Sequence, residues 1–170
     1  MKKLKFVLLV FGLLVMGNNL VNAQSYKNAI GLRFAWDYGL SFKHFMNETA
    51  AFEIIASHRS YSAYYVSNYS YSYTRLSALY LVHNPISSVE GLKWYYGGGL
   101  TAAFWGGDFN YDNNGKSSTS LGIVGALGLE YKFASTPITI SGDWLPTFFF
   151  SGYGNGFGGE AGGLAVRYTF

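Results

Sequence analysis

The chain has no cysteine, three prolines and three histidines, and Asp, Glu, Lys and Arg together make up only 12% of it. Each shortage excludes something. Without cysteine there is no disulfide framework and no thiol for a lipid anchor, so stability must come from the fold and its solvent. The histidines, at 44, 58 and 83, are too scattered to suggest a zinc site. A charged fraction about half the usual one is out of place on an exported soluble domain. Aromatic and small residues take the place of charge: Phe, Trp and Tyr reach 19%, and there are 22 glycines.

The apolar character does not come from a membrane-spanning helix. Residues 1–23 read as a secretory signal: Lys2, Lys3 and Lys5 precede an apolar run from Phe6 to Met16, and Val21-Asn22-Ala23 offers a cleavage site. That run is too short to cross a bilayer. Cleavage after Ala23 leaves Gln24–Phe170 as one domain. It also removes three of the 12 basic residues, leaving 12 − 3 = 9 against 9 acidic ones. A neutral mature chain gives no reason to expect a nucleic-acid partner.

What remains alternates. AIGLRFAW (29–36) puts Ile30, Leu32, Phe34 and Trp36 on one face, and GLSFKHFM (39–46) sets Leu40 and Phe42 against Ser41 and Lys43. AFEIIASHR (51–59), YTRLSALYLV (73–82), LKWYYGGGLTAAFW (92–105), LGIVGALGLEYKF (121–133), PITISGDW (137–144) and a last segment near 160–170 continue the series. Leu79 and Leu81 break the rule in the fourth. Period-two segments parted by Gly, Asn, Asp, Ser and Pro clusters predict eight antiparallel strands. The final GLAVRYTF keeps Leu164, Val166, Tyr168 and Phe170 on one face to the end of the chain, where most chains fray.

Two barrels fit this pattern, and the face opposite the apolar one separates them. That face is Gly, Ala, Ser and Thr with isolated charges: Arg33, Lys43, Glu53, Arg75, Glu130, Lys132, Asp143 and Arg167. Small residues and sparse charges of mixed sign suit the crowded lumen of an eight-stranded barrel better than a surface in water. Buried charges must then pair across the lumen. The fold class expected is therefore all-β, an eight-stranded antiparallel up-and-down transmembrane barrel with its apolar face toward lipid.

Aromatics near segment ends, Trp36, Phe45, Tyr95, Trp105, Tyr131, Phe133, Trp144, Tyr168 and Phe170, are expected to form girdles at the two interfaces. With both termini in the periplasm, the outer connections fall near 37–38, 60–72, 106–120 and 145–159. They are mostly longer than the inner ones at 47–50, 83–91 and 134–136.

At this point the chain resembles the small OmpA/OmpX-like outer-membrane barrels of Gram-negative bacteria. The closing VRYTF is similar to the C-terminal aromatic signature of such proteins, and GLSFKHF and ITISGDWLP are similar to their second and seventh strands. The resemblance implies outer-membrane lipid as solvent, recognition by the barrel-assembly machinery through Phe170, a monomer, and no cofactor. With no peptidoglycan-binding domain in the chain, cell-wall anchoring is not implied.

Three functional readings follow. The first is a non-enzymatic barrel serving envelope integrity or surface contact, with Tyr61, Tyr64, Tyr65, Tyr69 and Tyr71 of the tyrosine-rich outer segment meeting a glycan or protein. The second is a lipid A deacylase-like enzyme, in which His58 and Ser60, two apart on one strand, act as base and nucleophile; no carboxylate follows closely to orient the histidine. The third is a narrow channel or a binder of small apolar ligands. Asp108, Asn110 and Asp112 echo the start of a calcium loop, but Asn113 and Thr119 stand where its glycine and bidentate carboxylate belong.

Overall fold

The structure, a computed structural model, describes residues 26–63, 69–107, 119–152, 156–158 and 162–170, without the side chains of 61–63, 69–71 and 107. The strands are β1 (Asn28–Phe34), β2 (Tyr38–Phe45), β3 (Ala50–Ala63), β4 (Tyr69–Pro85), β5 (Leu92–Gly107) and β6 (Thr119–Lys132). They continue with β7 (Ile138–Trp144), β8 (Thr147–Phe149), β9 (Gly156–Gly158) and β10 (Gly163–Thr169). Every pairing is antiparallel, and no helix is present among the described residues.

These ten segments make an eight-stranded closed barrel. β7 and β8 are one strand in two parts: Leu127 pairs with Trp144 and Val124 with Thr147, an unbroken register on β6. Pro146, which has no N–H to give, lies in the gap between them. β9 and β10 together take the place of the eighth strand, and their registers differ by one residue. Asp143 to Phe149 spans six steps, while their partners Gly163 and Gly156 lie seven apart. That extra residue flips the facing, so odd-numbered Phe157 points outward like even-numbered Leu164.

The barrel closes where β1 meets β10, from Ala29–Thr169 to Phe34–Leu164. Beyond the ladder, the amides and carbonyls of Asn28 and Phe170 exchange two further 2.9 Å hydrogen bonds. The apolar end of the chain is thus a seam strand, paired up to its last residue, and a closed sheet has no edge in the membrane.

Register also fixes the tilt. A walk perpendicular to the strands from Ile123 passes Leu100, Ala78, Ile54, Phe42, Ile30, Tyr168 and Ile138, then returns to β6 at Phe133, ten residues along. A stagger of ten over eight strands corresponds to a tilt of roughly 40°. All eight residues on this walk before its return are apolar and face outward.

The expected alternation appears around the circumference. Ile30, Leu32, Phe34, Leu40, Phe52, Ile54, Leu100, Leu127, Leu164 and Val166 are exposed, while Arg33, Lys43, Glu53, Glu130 and Arg167 are buried. The two exceptions on β4 have a physical cause. Leu79 and Leu81 turn into the lumen and pack with Ile55, Tyr95, Val124, Ala126 and Leu145. Their strand neighbours there are Gly99 and Gly97, where a Cβ would strike the β4 backbone.

Strand length divides the barrel into a tall side and a short one. β3 to β6 contain 14, 17, 16 and 14 residues, whereas β1, β2, β7 and β10 contain seven or eight. The segment expected as a loop at 60–72 is strand through Ala63 and again from Tyr69, because the Ser/Tyr alternation sustains the ladder. Likewise β8 and β9 pair within the 145–159 connection. At about 3.3 Å per residue and this tilt, β4 rises roughly 43 Å, well beyond the ~25 Å apolar band of an outer-membrane barrel.

Candidate functional site: the lumen and the projecting wall

The inward face brings four cations and four carboxylates together among the described residues. Toward the end bearing the termini, Lys43 donates to Glu130 Oε2 at 2.7 Å and lies 3.5 Å from Glu53 Oε2. Arg167, on the seam strand, binds Glu53 from across the barrel and donates to Ser41 and Ser141, each at 2.7 Å. Ser41 in turn donates to Glu53 at 2.6 Å. Midway, Arg33 and Asp143 form a two-point pair, and Tyr95 donates to Asp143 Oδ2 at 2.6 Å. Farther from the termini, Arg75, Ser57 and Tyr73 all donate to Asp37 Oδ2.

The Lys43–Glu130, Arg33–Asp143 and Arg167–Glu53 pairs join residues 87, 110 and 114 apart in sequence, so the network ties strands distant in sequence together. Buried ions lose hydration worth several kcal/mol each, roughly, and pairing with further hydrogen bonds offsets that loss. The hydroxyls of Ser41, Ser57, Ser141, Tyr73 and Tyr95 supply those bonds. Two apolar groups share the lumen with this network: the Leu79–Leu81 cluster lies against the tall strands, and Tyr73, Ala103 and Phe149 pack with Trp105 toward the projecting end.

At the end bearing the termini, Tyr26 caps the network. Its hydroxyl donates to Glu130 Oε1 at 2.5 Å, and its ring meets Phe45 edge-on at 5.0 Å. Burial first, then the Glu130 carboxylate, push its phenol well above its usual range, so it stays a donor. Outside this cap a cavity of about 830 Å³ opens, lined by apolar Met46 and Leu92 and by charged Lys27 and Glu90.

Of the eight charges expected to form the luminal network, seven meet in it. Lys132 stands apart, its ammonium donating to the Phe133 and Thr136 carbonyls at the barrel rim. Sequence reasoning missed Asp37, Tyr26, His83 and Tyr95. The signal for Asp37 was its odd number, which continues the inward parity of Arg33 through the short turn to β2.

Three expected girdle residues face inward and are corrected here. Tyr95 is 1% exposed, because Trp94 and Tyr96 on either side of it point outward. Phe45 is buried against Tyr26 and His83, an odd-numbered position on a strand whose even positions face out. Trp105 stacks on Tyr73 at 5.1 Å and donates to Ser120. Of the other girdle residues, Trp36, Phe133, Trp144 and Phe170 are exposed, and Tyr131 and Tyr168 are half-buried on the outer face.

His58 and Ser60 share the outer face of β3, both exposed. His58 pairs through Nδ1 with Thr74 Oγ1 at 3.0 Å, and the nearest carboxylate in sequence, Glu53, is engaged inside the barrel. A histidine without an orienting carboxylate is poorly placed as a general base. Next to them, the Arg59 guanidinium covers the Trp36 ring at 3.9 Å and donates to its carbonyl. Tyr64, Tyr65, Asp108, Asn110 and Asp112 lie outside the described residues. Tyr61 pairs with Tyr71, and Tyr69 with Ala63, in the ladder of the wall.

The wall formed by β3 to β6, β8 and β9 ends in two strand edges. Beyond His58, β3 has a partner on its β4 side alone among the described residues, since β2 begins at Tyr38. β9 likewise pairs with β8 and, among the described residues, has no second neighbour.

No family model and no curated protein sequence matches the chain. Among solved structures, it is similar to the N-terminal β-barrel domain of Pseudomonas aeruginosa OprF, with a TM-score of 0.55 and 17% identity over 86% of this chain and 100% of that one. It also aligns with Ail, the attachment invasion locus protein of Yersinia pestis, in complex with the heparin analogue sucrose octasulfate. That match has a TM-score of 0.47 and 13% identity over 84% and 94% of the two chains. The OprF likeness shows the fold: this chain is an eight-stranded barrel of the kind found in outer-membrane proteins.

Proposed function

We propose that the protein is a non-enzymatic, non-conducting barrel of the Gram-negative outer membrane, with its termini in the periplasm and its tall wall outside the cell. In this reading it serves surface contact or envelope integrity. The observation that carries the proposal is the inversion of faces, an apolar exterior around a lumen of paired charges. That arrangement is stable in lipid and has no reason to exist in water. The wall supports the contact role. Among the described residues its Ser/Tyr-rich edge on β3 has main-chain groups without a ladder partner, of the kind that accept a strand from another chain.

The test replaces residues 60–72 with a tight turn and compares adhesion of cells carrying the full and shortened proteins to protein- and glycan-coated surfaces. The proposal expects the shortened barrel to fold and reach the membrane while adhesion falls. Equal adhesion by two well-expressed forms overturns the contact role.

A further inference from the structure

The top of the apolar exterior is not level around the barrel. With a stagger of ten residues over eight strands, each perpendicular step from β6 toward β1 lowers the axial level by about 1.25 residues, or roughly 3 Å at this tilt. On β1 and β2 the outward apolar positions end at Trp36 and Tyr38. On β3 and β4 they end at Ala56 and Leu76, and the next outward residues are His58, Ser60, Thr74 and Ser72. At the level of Ser60 and Thr74, the other half of the wall still presents Phe104, Leu121, Phe148, Phe150 and Phe157. These are 49%, 46%, 47%, 58% and 67% exposed.

These five side chains adjoin one another. Ile123 pairs with Phe148 and Phe148 with Phe157, while the Phe150 amide donates to the Leu121 carbonyl. Among the described residues the patch continues without a polar break into the lipid-facing surface below, through Ile123 and Leu100. It stands roughly 4 to 9 Å above the level of Trp36.

We infer that this patch is an interaction surface for lipid acyl chains, so that the barrel sits inclined, its β5–β6–β8–β9 face sunk deeper into the outer leaflet than its β2–β4 face. The inference rests on the membrane reading proposed above. Continuity with the apolar band makes lipid the occupant, since inclining an apolar side that is too tall for the hydrocarbon buries it at modest cost. The hydroxyls of Ser60, Ser72 and Thr74 on the opposite side then rise into water.

The chain has no native cysteine, so single nitroxide labels can be placed without background. The variants are Phe157→Cys and Leu121→Cys in the patch, Ser60→Cys on the other side of the wall, and Leu32→Cys in the middle of the band. The mature chain is reconstituted in phosphatidylcholine vesicles, and label relaxation is read with oxygen and with a water-soluble nickel chelate. The inference expects labels at 157 and 121 to match 32, with an oxygen-to-nickel accessibility ratio several-fold above that at 60. Nickel-accessible labels at 157 and 121, with 32 still in lipid, overturn the inclination alone. A nickel-accessible label at 32 overturns the membrane reading itself. Spin–spin broadening at 157 that disappears on dilution with unlabelled protein assigns the patch to a second copy and overturns the lipid assignment.

Discussion

Tyr95 on β5 lies directly over Gly128, its ladder partner on β6. A Cβ on Gly128 would come within 2.6 Å of the Tyr95 ring and 2.7 Å of its hydroxyl. The ring occupies the space a side chain would fill, and its hydroxyl reaches Asp143 beyond. A single methyl group therefore competes with a hydrogen bond that belongs to the luminal network.

Gly128→Ala is expected to destabilise the folded barrel by about 1–3 kcal/mol, the usual cost of overpacking a filled interior. Gly106→Ala is the control, since among the described residues its Cβ would meet only Ser72 Oγ at 3.4 Å. Urea unfolding in lipid vesicles, followed by tryptophan emission, measures both. Equal midpoints for the two variants would count against the close approach.

Arg167 and Glu53 should be strongly coupled. Arg167→Met leaves Glu53 with Lys43 as its remaining cation at 3.5 Å, and removing one partner of a buried pair typically costs about 3–5 kcal/mol. The double variant Arg167→Met/Glu53→Gln removes both charges and is expected to lose clearly less than the sum of the single losses. A double-mutant cycle read from the same unfolding curves gives the coupling. Additive losses would mean that the pair is solvated.

Planar bilayers containing the purified barrel are expected to show no stepwise conductance at neutral pH. The Lys43–Glu130 and Arg33–Asp143 pairs lie in the lumen at successive levels, with the Leu79–Leu81 cluster beside them. Reproducible current steps that scale with protein concentration would show a water path around them.

Ser60→Ala is expected to leave the mass of lipid A unchanged, and the unaltered protein is expected to leave it unchanged as well. Among the described residues His58 bonds Thr74 and no carboxylate, and a carboxylate is the partner that would orient its imidazole as a base. Loss of an acyl chain in cells carrying the unaltered protein, abolished by Ser60→Ala, would restore the enzymatic reading.

The outer face was readable in the sequence because it depends on parity alone, and parity is local. Ile30, Leu32 and Phe34 needed no knowledge of their neighbours to be assigned outward. The inner face was only half readable. The charges could be placed inside, but their pairing depends on a register that residues distant in sequence set together. Arg167 with Glu53 is one such case and Arg33 with Asp143 another. The errors arose where residue type was weighed above parity. Phe45, Tyr95 and Trp105 were assigned to girdles as aromatics near strand ends, although Trp94 and Tyr96 already claimed the outer face. Leu79 and Leu81 looked like exceptions until Gly97 and Gly99 on the neighbouring strand were seen to leave room for them. The uneven top of the apolar band could not be read from any one strand, since it follows from the stagger around all eight.

The central claim is that the apolar face looks outward into lipid and the charged face looks inward. A heat-modifiability gel on the mature chain refolded in detergent tests it most directly, because a closed membrane barrel resists SDS until it is boiled. The account predicts that unboiled and boiled samples migrate at clearly different positions, and that the chain needs detergent or lipid to stay dispersed. Identical mobility, together with a soluble monomer in plain buffer, would contradict it and turn the two faces inside out.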